Sequence, residues 1–433
     1  MDEAELLLGR VLLFDGNPLT EGPEAVRIAT ETGVLVAEGR IAAVGPVDRL
    51  RAAHPAARIR DFGRDLICPG FVDAHAHYPQ TRMIASWGKR LIDWLETYTF
   101  PVESAFGDPD HARAVAALHL DLTAAHGTTT ICTFCTSHPE SVEAYFAEAR
   151  ARGQRVVAGK TCMDRNAPAA LRDDPRRAYD ESKALIARWH GRDRLGYAIT
   201  PRFSPTSSPG QLEALGALWA EHPDCPMQTH LSEQTDEIAW VAELFPSARD
   251  YLDTYEAFGL LGANGIYGHA IHLTARERDR LAEVGAALAH CPTSNTFIGS
   301  GLFDMGLARA GMRVGLATDT GGGSSFSMLR TMAAAYEIGQ LRGLALHPAE
   351  LLWLATAGSA DALGLGDRIG RIAPGHEADL CVLDLAATPA IAQRAEGAED
   401  AWEEVFPTLM MGDDRAVRQV YVGGRAVSRA PAG

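Results

Sequence analysis

Through the middle of the chain, short apolar runs rich in β-branched residues alternate with longer stretches in which apolar residues recur every three or four positions. The runs predict strands over 67–75, 128–134, 155–162, 194–200, 226–231, 265–269, 286–291 and 313–318. Between them the three-four spacing predicts helices, among them 111–125, 142–152, 211–221, 275–284 and 328–341. Eight strands alternating with helices over roughly 250 residues is the pattern expected of an α/β protein built as a (β/α)8 TIM-type barrel, with a doubly wound open sheet as the alternative.

The two ends follow a different rhythm. Val26–Ala29, Gly33–Val36 and Glu38–Gly45 read as a small antiparallel sheet punctuated by glycine, and the C-terminal part repeats the style in Ala378–Leu383 and in Val420–Val427, a hairpin about Gly423-Gly424. Both termini are therefore expected to pair into one small β-sandwich beside the barrel. The expected division is 1–66 and 373–433 for the sandwich and 67–372 for the barrel.

Composition narrows the function. The chain has 433 residues, 46% hydrophobic and 22% charged, enough for a large core, and its formal net charge of -16 argues against a polyanionic partner such as nucleic acid. A neutral or weakly charged small molecule fits better. The acidic start, Met1-Asp2-Glu3-Ala4-Glu5, is unlike a secretory signal, and no apolar run is long enough to span a bilayer. Seven cysteines, odd in number and set in strand-like contexts, suit buried thiols in a reducing compartment, so a cytoplasmic enzyme is expected.

The chemistry starts at Asp73-Ala74-His75-Ala76-His77-Tyr78-Pro79-Gln80, directly after an apolar run. Side chains two apart on a strand point the same way, so His75 and His77 can close on one metal ion. Catalytic groups of a barrel gather at the C-terminal ends of its strands. There the fifth strand ends in His230, the sixth in His269 and the eighth in Asp319. Imidazole nitrogens with one carboxylate oxygen suit Zn²⁺, with Fe²⁺ or Mn²⁺ also accommodated, and leave a position for a water whose pKa the ion would lower to about 7. Hydrolysis follows. Glu233, three residues after His230, can lean back over the metal as a proton shuttle; the alternative is a first-turn glutamate complementing the dipole of a helix over 234–244.

Other candidates weigh less. Cys132-Thr133-Phe134-Cys135 and His138-Pro139-Glu140 have the elements of a zinc deaminase signature in reversed order and nearly adjacent, so they read as a strand and its loop. His272 begins the connection after His269 and is expected at the periphery. Lys160 suggests a carbamylated bridge between two metals, but the fourth strand ends in Thr200-Pro201-Arg202-Phe203 without a bridging group, which favours one metal.

Over its whole length the chain resembles the amidohydrolase superfamily and, within it, the guanine deaminase family. The resemblance rests on residues 69–80, on Trp94-Leu95-Glu96-Thr97-Tyr98-Thr99-Phe100-Pro101, on Thr200-Pro201-Arg202-Phe203, on Gln228–Glu233 and on His290-Cys291-Pro292-Thr293-Ser294-Asn295. It implies zinc-dependent hydrolytic deamination of guanine to xanthine and ammonia in a homodimer, with one metal per subunit. His75, His77, His230 and Asp319 would hold the metal, and Glu233, His269 and Asp319 would be catalytic. Gln80 and Arg202 would read the edge of the base and Phe203 would pack near it, with His77, His230, Glu233 and Asp319 completing the substrate-binding set. Arg202 alone also reads as an ordinary structural charge. The same metal site would serve an oxidised purine, a pterin or an s-triazine, and a non-catalytic protein with this fold is a third reading that intact ligands disfavour.

Overall fold

The computed structural model describes residues 4–88 and 90–427, so Met1–Glu3 of the acidic start and the last six residues of the expected C-terminal unit lie outside the described residues. Strands form at β1 (Glu5–Phe14), β2 (Val26–Ala29), β3 (Thr32–Ala37), β4 (Arg40–Pro46), β5 (Arg58–Pro69), β6 (Phe71–His77), β7 (Thr128–Phe134), β8 (Arg155–Gly159) and β9 (Thr161–Cys162). They continue with β10 (Leu195–Tyr197), β11 (Thr200–Pro201), β12 (Met227–Leu231), β13 (Gly265–His269), β14 (Ala287–His290), β15 (Arg313–Leu316), β16 (Leu380–Leu383), β17 (Val417–Val422) and β18 (Arg425–Val427).

Pairing sorts these strands into two systems. The terminal segments join one mixed sheet in the order β18-β17-β16-β5-β1-β3-β4, with β2 on β1. The hairpin expected about Gly423-Gly424 joins β17 to β18, and a second, through Glu38-Gly39 at the start of the expected 38–45 run, joins β3 to β4; each turn has positive φ at both central residues. That conformation matches the right-handed twist of the strands it joins. Alternation assigns the faces, since Leu7, Val11, Leu13, Val34 and Val36 pack into one apolar cluster while Leu6, Leu8 and Leu35 pack with Leu50 in another.

The middle strands pair in parallel, in the orders β6-β7-β8-β10, β9-β11 and β12-β13-β14-β15. A parallel bridge between Ile199 and Met227 links the second group to the third, and the amide of Asp319, just past β15, donates to the carbonyl of His75 on β6 at 2.9 Å. Small or slender residues such as Ala74, Cys132, Ala198, Ala289 and Ala317 fill the space these strands share. The expected helices appear at Pro109–Ala125, Pro139–Arg152, Pro209–Glu221, Ala275–Glu283 and Met328–Leu341. Among the described residues no helix is long and apolar enough to cross a membrane.

Three expected strands are divided, and the one expected over 313–318 stops at Leu316, so Asp319 lies in the loop after it. The run over 67–75 is two strands that part at Pro69-Gly70, and Gly70 passes so close to Thr129 that a Cβ there would lie 2.2 Å from its Oγ1. Its first part, through Pro69, belongs to the terminal sheet, where Ile67 pairs with Val382. The runs over 155–162 and 194–200 are likewise divided, at Lys160 and after Tyr197. Lys160 turns into a buried ion cluster with Asp173 and Glu181.

Candidate active site

The ends of four parallel strands bring the expected ligands together. His75 and His77 leave β6, His230 lies in β12, His269 ends β13 and Asp319 follows β15. All five are buried. The ligand atoms of His75, His77 and Asp319 lie within 4.8 Å of one another, as do those of His75, His230 and His269. Asp319 Oδ1 sits 3.5 Å from Nε2 of both His75 and His77, and its Oδ2 is 3.9 Å from His269 Nε2.

This donor set fits a divalent cation. His230 donates Nδ1–H to the carbonyl of Arg202 at 2.7 Å, which leaves its Nε2 with a lone pair; that atom lies 3.1 Å from His77 Nε2. His75 Nε2 is buried without a hydrogen-bond partner. Burial, with the neighbouring imidazoles and Arg202, holds the pKa values of His77 and His230 well below the ordinary range, so both rings are neutral donors. Burial would raise Asp319, but the close His75 ring and the charge on His269 outweigh that and bring it down to about 2. The ring of Phe134 forms an apolar floor, 4.7 Å from both His77 and His230.

Backbone conformation aims these groups. Ser232, His269, Ala270 and Asp319 all have positive φ, between 48° and 67°, a region that side chains other than glycine enter at some cost. Behind Asp319 the glycine run allows close approach: a Cβ on Gly322 would lie 2.9 Å from Asp319 Oδ2, and one on Gly321 would lie 2.0 Å from Gln80 Oε1.

Glu233 is not a helix-capping residue. The helix starts at Thr235, and the amides of Glu233 and Gln234 are both satisfied by Glu237 Oε2, at 2.9 and 3.0 Å. Glu233 itself accepts from Ser300 Oγ at 2.8 Å and sets its other oxygen 3.5 Å from His269 Nε2. Burial, partly offset by His269, lifts its carboxyl to about 7, where it can exchange a proton at neutral pH. Burial opposes charge on His269, yet Glu233, Cys291 and Asp319 outweigh it and raise the imidazole well above its usual value. Asn295 Oδ1 lies 2.9 Å from His269 Nδ1 and accepts its proton, which turns Nε2 towards Glu233.

A cavity opens over this cluster. Gln80, Arg202, Phe203, Glu233, His269 and Asp319 line it together with His77 and His230, and Leu91, Trp94, Leu95 and Ile298 supply an apolar wall. Sequence reasoning missed that wall, and it missed Glu103, which binds Gln80 and Arg202 from behind. The signal was adjacency alone, since Glu103 follows two residues after the Tyr98–Pro101 phrase.

The remaining candidates lie elsewhere. Cys132 donates to Gln228 Oε1 at 3.2 Å, and all seven cysteines are free and buried. His138 meets Thr136 Oγ1 at 3.0 Å, and His272 meets the Ser300 carbonyl at 2.8 Å; neither lines the cavity. A separate group, His190, Asp224 and Cys225, has metal-type spacing. There His190 Nδ1 accepts from the Tyr197 amide, so the proton sits on the Nε2 that faces Asp224 and leaves no lone pair for an ion.

Residues 66–427 match the model of the Amidohydrolase family, and residues 33–57 match an imidazolonepropionase-like composite domain of bacteria. The guanine deaminase of Escherichia coli K12 is 43% identical over 93% of this chain and 92% of its own. A solved structure of E. coli guanine deaminase superposes with a TM-score of 0.95, at 41% identity, covering 98% of this chain and 99% of that one. A guanine deaminase from C. acetobutylicum, solved with guanine bound in its active site, gives a TM-score of 0.89 at 28% identity over 98% of this chain and 100% of that one. With a strand-end histidine and carboxylate cluster under one cavity, and with relatives of this closeness over nearly its full length, the chain belongs to the amidohydrolase family of hydrolases and groups there with the guanine deaminases.

Proposed function

We propose that this protein deaminates guanine hydrolytically, giving xanthine and ammonia. The observation that carries this reading is that one cavity is lined at once by the histidine and Asp319 cluster, by Glu233 and by the pair Gln80 and Arg202. The names of the relatives supply the substrate. His75, His77, His230 and Asp319 are the metal ligands in this reading, and Zn²⁺ is the ion their three nitrogens and one oxygen suit best. A bound divalent cation supplies acidification of a water molecule at neutral pH.

The chain's own groups do the rest. Arg202 and Gln80 hold the polar edge of the base, with Phe203 and the wall of Leu91, Trp94 and Leu95 against its faces. The carbon bearing the exocyclic amine is thereby presented to the water. Glu233 takes a proton from that water as its oxygen adds to the carbon, and passes it to the neighbouring ring nitrogen. His269, charged and turned by Asn295, stabilises the negative charge that develops on the added oxygen. Glu233 then takes the remaining proton from the added hydroxyl and delivers it to the amine, which leaves as ammonia while the carbonyl of xanthine forms. Guanine and one water are consumed, and no other reactant is required.

The same reading takes the parallel strands as a closed (β/α)8 barrel, supported by the Ile199–Met227 bridge and the Asp319-to-His75 hydrogen bond, and the mixed terminal sheet as the core of a β-sandwich. It moves the start of the barrel from 67 to Gly70, because 67–69 pair in the terminal sheet, and takes 70–372 as the barrel and the flanking segments as the second unit, in a cytoplasmic homodimer. The decisive experiment is incubation of zinc-loaded protein with guanine while xanthine and ammonia are followed. Stoichiometric release of both is expected. Turnover of a pterin or an s-triazine in place of guanine would move the substrate, and no turnover of any of them would overturn the reading.

A further inference from the structure

Glu103 has no access to solvent and does not line the cavity, yet it touches both groups that face the base. Its Oε1 accepts from Gln80 Nε2 at 2.9 Å and its Oε2 from Arg202 Nη1 at 2.7 Å. Phe100, one helical turn earlier, lies under the Arg202 guanidinium, 5.7 Å from ring centre to Cζ. One short helix after β6 therefore holds the edge-reading pair from behind.

The chemistry of that contact fixes a polarity. A glutamine amide can turn either its NH₂ or its oxygen to a partner, but a carboxylate paired with a guanidinium only accepts. Gln80 must then present NH₂ to Glu103, and its Oε1, buried and without a partner, is left for the cavity. With Gly321 against it, where a Cβ would lie 2.0 Å from Oε1, that oxygen has little room to swing. Arg202 keeps its other N–H groups for an acceptor. The cavity edge thus carries one acceptor and one donor side by side.

We infer that Glu103 is a positioning residue that sets substrate specificity: by locking the Gln80 amide it makes the site select heterocycles that carry a lactam edge, a ring N–H beside a carbonyl oxygen, over those with a bare ring nitrogen there. The inference rests on the guanine reading above. Guanine has such an edge. 2-Aminopurine has the same amine on the same carbon but an acceptor nitrogen and no carbonyl, so it leaves the Gln80 oxygen and the Arg202 donor unpaired, at a cost buried polar groups impose strongly.

Glu103→Gln keeps shape and volume but can donate as well as accept, so it releases the amide. Steady-state kinetics of zinc-loaded wild type and variant on guanine and on 2-aminopurine test this, with metal content and melting temperature measured on the same samples. The ratio of kcat/KM for guanine over 2-aminopurine should fall about tenfold or more in the variant. A general loosening of the site would lower both substrates together and leave the ratio fixed; that result, in a folded and metal-replete variant, overturns the inference. Glu103→Asp, which still only accepts, should hold the ratio near wild type even if both rates drop, and a collapse of the ratio there counts against the polarity argument. Absence of guanine turnover by the wild type would instead fall on the proposed function.

Discussion

At the scale of single residues, the site was legible where side-chain identity and strand position coincide. The His75/His77 pair, His230, His269 and Asp319 sit at strand ends, so alternation and length were enough to gather them. Glu233 reads in the sequence as a proton shuttle, with a helix-dipole glutamate as the alternative, and the structure removes the second duty by turning its carboxylate to Ser300 and His269, ahead of the helix that starts at Thr235. With that duty removed, Glu233→Gln is expected to lower kcat by at least about 100-fold while metal content stays near that of the wild type, as measured by elemental analysis alongside turnover. Metal loss would make Glu233 a ligand instead. A separate prediction concerns Asp65, whose carboxyl is raised to about 6 by burial and by Asp384, against Arg418. Because its folded value exceeds its unfolded one near 3.8, its contribution to stability is full below pH 4 and is lost as pH rises through 6. Asp65→Asn should therefore gain on the wild type by roughly 1–2 kcal/mol between pH 4 and pH 7 in denaturant titrations. A constant difference across that range would refute the assignment.

At the scale of elements, the Gly423-Gly424 hairpin was the most readable feature, because two adjacent glycines carry their backbone conformation in their composition, whereas Glu38, with φ 53° at the other hairpin, gives no such signal. Strand limits were harder. In Leu66–Asp73 the only mark of the crossing from one sheet to the other is Pro69-Gly70, where Gly70 packs against Thr129 too closely for a side chain. The segment from Leu91 to Gly107 was illegible for another reason. It is a chain of four short elements, one a π-helical turn over Leu95–Thr99, so no single period repeats long enough to be seen. That segment holds Glu103 and most of the apolar wall. The loop opposite makes its own prediction: Gly322→Ala places a methyl group 2.9 Å from both Asp319 Oδ2 and Ser294 Oγ, so zinc affinity should fall about tenfold or more in chelator competition. Gly45→Ala, with ordinary backbone conformation and nothing within 4 Å of the added methyl, should leave zinc affinity unchanged.

At the scale of the whole molecule, the terminal sheet and the parallel strands are tied by buried charge. Arg194, just before β10, bonds to Asp379 and lies 2.7 Å from Glu377, to which Arg155 of β8 also binds. Burial raises the Asp379 carboxyl while Arg194 opposes it. Removing one member of such a cluster leaves the others buried and uncompensated, so Arg194→Met should cost about 3 kcal/mol or more in unfolding free energy, read as a lowered denaturant midpoint. The strand-closing contacts carry a different consequence, one of timing. Thr318 binds Asp73 across 245 residues of sequence, and the next residue, Asp319, bonds to His75. A chain emerging during synthesis has both histidines of β6 long before it has the carboxylate that completes their site. In the metal reading proposed above, uptake of the ion would be coupled to the last stage of folding, when Asp319 joins the two histidines.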